Sequence, residues 1–153
     1  IFENCDQAVV GELKRGLKLT ANARDFREMR RLFDGVYNGQ GMAYAASFAN
    51  EVVTKGICVF RMTRAKAFEA MKAAVNMGRD TDCLASVAAG LSGALSGGGS
   101  IPAGMIEQVD RATGLNPYTN SKRTLRETSD GLHAAFKARL GKMKVYADEM
   151  DAA

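Results

Sequence analysis

Apolar side chains recur along this chain at the three- and four-residue intervals of a helix. Val9, Val10, Leu13 and Leu17 form one stripe. Phe26, Met29, Leu32, Phe33 and Val36 form another, interleaved with Arg24, Arg27, Arg30 and Arg31 as on an amphipathic surface helix. Tyr37-Asn38-Gly39-Gln40-Gly41 is a turn-rich break, after which the helical period resumes over 42–59 and 65–75. A further helix is predicted from about Thr81 to Leu95, and a last one from about Thr124 to Met150. The last stripe reads Leu125, Leu132, Phe136, Leu140, Met143 and Met150, with Gly131 and Gly141 as the points where it is expected to bend or divide. No segment sustains the alternation of a strand. The pattern therefore predicts an all-α fold, a compact multi-helix bundle, with residues 1–153 as a single unit.

The uncharged run from Cys83 to Ile106 is long enough to raise the question of a membrane span. It is rich in glycine and serine and poor in large apolar side chains, so it reads as a core helix followed by a glycine loop, with no membrane partner. Within it Ala85, Ala89, Gly93 and Gly97 recur every fourth residue, and this row predicts a groove that another backbone approaches closely.

Composition narrows the function. The chain has 153 residues, 46% hydrophobic and 25% charged, which suits one domain with a real core. Its 21 Lys+Arg against 17 Asp+Glu leave +4, spread without a basic arm or acidic tail, so no nucleic-acid partner is indicated despite a pI near 9.1. Cysteines stand at 5, 58 and 83, an odd number without a C-x-x-C, which reads as reduced thiols in a cytoplasmic protein. His133 is the only histidine, excluding multi-histidine metal sites and leaving little room for a histidine triad. Any chemistry falls to carboxylates. The chain opens on Ile1 in mid-pattern, as a piece of something longer would.

The carboxylates that stand out are in Asn76-Met77-Gly78-Arg79-Asp80-Thr81-Asp82-Cys83, at a glycine turn leading into a helix. Two readings are open. Asp80 or Asp82 caps the helix while the other favours the positive end of its dipole. Alternatively, both converge on a hard cation, for which oxygen donors at short spacing are suited.

Gly78-Arg79-Asp80-Thr81-Asp82, followed by an alanine- and glycine-rich helix and then Ser96-Gly97-Gly98-Gly99-Ser100-Ile101-Pro102, resembles the C-terminal motif of the ADP-ribosylglycohydrolases. This family includes the dinitrogenase-reductase-activating glycohydrolases. Ala73-Ala74-Val75-Asn76-Met77 extends the likeness upstream; it is strong over 42–108 and continues weakly through Asn116–Asn120. The resemblance implies the C-terminal part of an all-helical, metal-dependent hydrolase that cleaves the glycosidic bond of ADP-ribosylated or related ribosyl substrates. It further implies a dinuclear Mg2+ or Mn2+ site with Asp80 and Asp82 as metal ligands. Substrates would be an ADP-ribosylated protein or a small ADP-ribose-type compound. Around the aspartates, Asn76 and Gly78 shape the substrate loop and Arg79 offers a planar fork to a phosphate.

Two departures from the family pattern matter. Cys83 stands where the family carries a metal-directed hydroxyl and is the candidate third metal ligand. Its soft sulfur is a poor match for magnesium and would shift preference toward manganese or zinc, and at a helix N-terminus its thiol pKa is expected to be lowered. The family's Thr-Asp-Asp motif and further acidic ligand have no counterpart here. The chain is therefore expected to need its own N-terminal half, which would hold the remaining ligands and the general base, so no catalytic residue is assigned. The alternative is a non-catalytic helical domain that binds a nucleotide-like ligand or a protein partner. Tyr118, Ser121–Arg126 and His133 read as a loop anchor, a solvated helix entry and a structural or surface histidine.

Overall fold

The computed structural model describes residues 6–40, 48–118 and 121–152, and every regular element among them is helical, as the apolar period predicts. The elements are α1 (Gln7–Leu19), α2 (Phe26–Asp34), α3 (Ala49–Met62), α4 (Ala67–Val75), α5 (Thr81–Ser96), α6 (Ala103–Leu115) and α7 (Leu125–Asp151), with a short 3-10 turn at Gly98–Ser100. Where the sequence reading takes 1–153 as one unit, the chain divides into two compact ones, Ile1–Ile101 and Pro102–Ala153. Of the helix read over 42–59, the part before Phe48 lies outside the described residues.

In the first unit α3 touches α1, α2, α4 and α5. Met29, Phe33, Cys58, Val59, Met77 and Leu84 form its core, and Ala70, Ala73, Ala74 and Ala88 keep α4 and α5 close together. Side-chain caps start two of the helices. Asp6 accepts from the Ala8 amide at 2.8 Å, and Asp25 accepts from the Glu28 amide at 2.8 Å. Burial of one stripe per helix does the rest.

Close helix approach occurs in this unit, though not along the full row of Ala85, Ala89, Gly93 and Gly97: Ala85 packs against the core, while Gly93 and Gly97 face open space. The buried face of α5 is Leu84, Ala88 and Ser92, and a Cβ at Gly93 would meet no other atom within 4 Å. Large side chains elsewhere decide which row faces inward. Leu84 belongs to the neighbouring row and carries the apolar area that burial rewards. The tight contacts are instead at Gly16 of α1, against the Thr54 methyl, and at Gly56 of α3, where a Cβ would lie 2.6 Å from Val87 Cγ1.

In the second unit, α6 has no counterpart among the stripes read from the sequence; it starts directly after Pro102, which supplies a fixed φ and needs no donor there. The α7 helix runs unbroken through Gly131 and Gly141, so neither glycine divides it. Each costs about 1 kcal/mol relative to alanine, which a helix of this length absorbs. Thr124 and Glu127 close a capping box at its start, and the Leu125 amide donates to Asp110 Oδ1 of α6 at 2.8 Å. Among the described residues, no helix is long and apolar enough to cross a membrane.

Candidate metal centre

The link from α4 to α5 is five residues, Asn76 to Asp80, and its geometry sets where the carboxylates go. Met77 is fully buried and pins the link to the core. Gly78 and Arg79 follow with φ of 79° and 63°, both left-handed, and the Thr81 amide closes back on the Arg79 carbonyl at 3.0 Å. From α2, Arg30 Nη1 donates to the Asn76 carbonyl at 3.0 Å. The chain is thus turned sharply into α5 with Asp80 at its threshold.

Asp80 occupies the N-cap position of α5, and its carbonyl accepts from the Leu84 amide at 3.1 Å. Its side chain makes no capping hydrogen bond to the helix, so the plain N-cap reading does not describe this carboxylate. Asp82 lies in the first turn, exposed, where the helix dipole favours a negative charge. One donor atom each from Asp80, Asp82 and Cys83 all lie within 4.8 Å of one another. Cations of the magnesium and calcium class take oxygen donors at about 2.0–2.6 Å, so donors on one ion lie at most about 4–5 Å apart. The two carboxylates fit such an ion in both chemistry and spacing.

Cys83 fits differently. Its thiol is exposed, and its pKa is raised, first by its hydrogen bond to the Asp80 carboxylate, then by desolvation and by the negative charges of Asp80 and Asp82. The sequence predicts a lowered value from the helix N-terminus alone. Two carboxylates beside the sulfur outweigh that dipole, and the group is a protonated donor at neutral pH.

Behind the turn is a buried ionic group that sequence reasoning missed. Glu51 of α3 accepts from Arg79 twice, Nε to Oε1 at 2.7 Å and Nη2 to Oε2 at 3.1 Å. Lys55, one turn further along α3, donates to the same Oε1 at 2.8 Å. The Glu51 and Lys55 side chains are 3% and 2% exposed, and the ammonium lies 5.1 Å from the Tyr37 ring centre and 5.8 Å from that of Phe33. Tyr37 in turn donates its hydroxyl to Glu12 of α1. A signal for this group was present: Glu51 and Lys55 fall on the same helical stripe as Val52, Cys58 and Val59, where a soluble helix carries apolar residues.

The remaining candidates are dispersed. Asn76 Nδ2 donates to the Lys72 carbonyl at 2.7 Å. The same residue lines a cleft of about 380 Å³ with Asp25, Phe26, Met62 and Lys72, and neither aspartate nor Cys83 borders that cleft. The Arg79 fork is directed at Glu51. Tyr118 is 96% exposed, His133 is exposed, and Ser121–Arg126 leads into the capped start of α7. Arg24 and Arg30 pair within their own helix region, with Glu28 and Asp34, as a charged surface face does.

No curated protein and no solved structure matches this chain. A family profile does: that of the ADP-ribosylglycohydrolases matches residues 3–140. That span contains the Gly78–Cys83 turn and all but the last part of α7. With most of the chain matched and an all-helical fold around the aspartate turn, this protein belongs to the ADP-ribosylglycohydrolase family.

Proposed function

We propose that Asp80 and Asp82 hold a divalent cation, Mg2+ or Mn2+, in a hydrolase acting on the glycosidic bond between ADP-ribose and its acceptor. The observation that carries this reading is the convergence of the Asp80 and Asp82 donors within 4.8 Å while the Asp80 side chain leaves the helix end uncapped. The family supports glycohydrolysis as the reaction class. A bound cation of this kind supplies orientation of the ribose hydroxyls and a more acidic water.

The chain's own residues divide the work. Asp80 and Asp82 contribute two negative charges at the N-terminus of α5, where the dipole partly offsets their mutual repulsion. Cys83, as a thiol, donates to Asp80 and orients that carboxylate; a hard cation does not select its sulfur. Asn76 and Gly78 form the substrate-side edge of the loop. Two carboxylate donors from one turn leave most positions of an octahedral ion to water, to substrate or to further acidic groups.

Calorimetric titration with Mg2+ and with Mn2+ tests the reading. The expected result is a dissociation constant below about 100 μM, roughly 5.5 kcal/mol, lost in Asp80→Asn. A folded chain that takes up neither ion would overturn the assignment.

A further inference from the structure

The turn that presents the aspartates contains an arginine in a backbone conformation that arginine avoids. Gly78 and Arg79 are left-handed in succession, at φ 79° and 63°. Glycine adopts that region freely, whereas a residue with a Cβ crowds its own following carbonyl. The Arg79 side chain is 15% exposed and runs to the buried face of α3, where its fork meets both oxygens of Glu51 at 2.7 and 3.1 Å. A bidentate fork fixes direction as well as distance. Glu51 cannot swing with it, because Lys55 holds the same carboxylate at 2.8 Å and both side chains are nearly sealed from solvent. Arg79 is therefore anchored from a rigid helix, and Asp80 is the next residue along the chain.

We propose that Glu51, backed by Lys55, is a positioning residue for the aspartate pair: by gripping Arg79 it holds the Gly78-Arg79 turn left-handed and keeps Asp80 and Asp82 converged. Arg79 acts on the site through its backbone, and its charge is incidental. The consequence for metal affinity rests on the reading of Asp80 and Asp82 as cation ligands; the consequence for the shape of the turn does not.

Position 79 separates the backbone role from the charge role. Arg79→Gly removes the anchor and the strain together, since glycine keeps the left-handed turn unaided. Arg79→Ala removes the anchor and leaves the strain. Removing the cation alone would affect both variants equally and would tighten Mn2+ binding in each. Two readouts are made on the full chain: the metal-free 1H–15N spectrum, read at the amides of Asp82, Cys83 and Leu84, and Mn2+ binding by calorimetry.

In Arg79→Ala these amides are expected to shift and broaden and Mn2+ affinity to fall by about tenfold or more, the range for loss of a supporting partner of a metal ligand. In Arg79→Gly the amides stay near their wild-type positions and affinity falls by less than the roughly tenfold that loss of a supporting partner costs. Glu51→Gln should reproduce the Arg79→Ala spectrum from across the fold, and adding Arg79→Gly to it should restore the wild-type pattern. Should Glu51→Gln fail to fold, the Ala and Gly variants at 79 decide alone. Equal behaviour of those two variants, in spectrum or affinity, overturns the proposal. If the spectra behave as expected while the wild type takes up no Mn2+, the cation reading fails and the positioning role stands.

Discussion

Lys55 and Glu51, one turn apart on α3, pair at 2.8 Å with side chains 2% and 3% exposed. One carboxylate there serves two cations, since Arg79 reaches the same group. The rings of Phe33 and Tyr37 accommodate the ammonium that the carboxylate shares. Buried pairs of this kind add little net stability but are costly to break from one side, because the survivor is left as a buried charge.

The two halves of the pair should therefore differ. Glu51→Ala leaves Lys55 buried without its carboxylate and should cost about 3–5 kcal/mol. Lys55→Met keeps most of the volume and leaves Glu51 with Arg79, so its cost should be less than about half of that. Urea denaturation of the two variants checks the order. Equal losses would mean that the Arg79 fork does little to hold Glu51.

Glycine placement gives a second contrast. Gly56→Ala would set a methyl 2.6 Å from Val87 Cγ1 and 3.0 Å from its Cβ, so α3 and α5 must separate, at about 1–3 kcal/mol. Adding Val87→Ala should recover part of that loss, a coupling that a double-mutant cycle measures. Gly93→Ala meets nothing within 4 Å and should stabilise α5 by up to about 1 kcal/mol. If Gly93→Ala proved the more damaging of the two, the small-residue row would be the packed face after all.

Thermal stability against pH should report the start of α7. The Glu127 carboxyl is held below its ordinary 4.5 by hydrogen bonds from the Thr124 amide and hydroxyl. A lowered folded pKa contributes stability that is present above the unfolded value and is lost as pH falls through the folded one. Amide exchange in the first turn of α7 should thus accelerate, beyond its ordinary pH dependence, as pH falls below the carboxyl's ordinary 4.5 and through its lowered folded value. Glu127→Gln, whose amide still reaches the Thr124 backbone only as a neutral acceptor, should remove that step. An unchanged acid step in Glu127→Gln would assign it elsewhere.

How much of this was legible in the chain varied with the kind of contact involved. The apolar period placed α1, α2, α4, α5 and α7, because each buries one stripe or repeats one over many turns. It missed α6, whose glycines, and the proline just ahead of it, resemble the loop before it. The aspartates were legible too, since Asp80 and Asp82 lie two residues apart and need only a local turn to converge. The pairing of Glu51 with Arg79 was not, because the two are 28 residues apart and only the packing of α3 beneath the turn brings them together. The row at Ala85, Ala89 and Gly93 shows the opposite error. Small residues permit close approach, but the larger residues beside them decide which face is buried.

Cys83 offers the most direct measurement of the carboxylates beside it. Its thiol is exposed yet raised in pKa, with the hydrogen bond to Asp80 as the leading cause. A raised folded pKa favours folding while the thiol is protonated, below its ordinary 9.0, and that contribution disappears as pH rises through the folded value. Only the thiolate attacks a disulfide reagent, so at pH 8 Cys83 should react more slowly in the folded chain than in the denatured one. Asp80→Asn removes one negative charge and weakens the acceptor, and it should speed the reaction. Mn2+ should speed it as well, because a cation on Asp80 and Asp82 neutralises the charges that hold the proton on sulfur. The Asp80→Asn rate, by contrast, should not respond to Mn2+. A Cys83 that reacts at the denatured rate would mean that the thiol and Asp80 are not joined in solution, and that the cluster is looser than its 4.8 Å geometry.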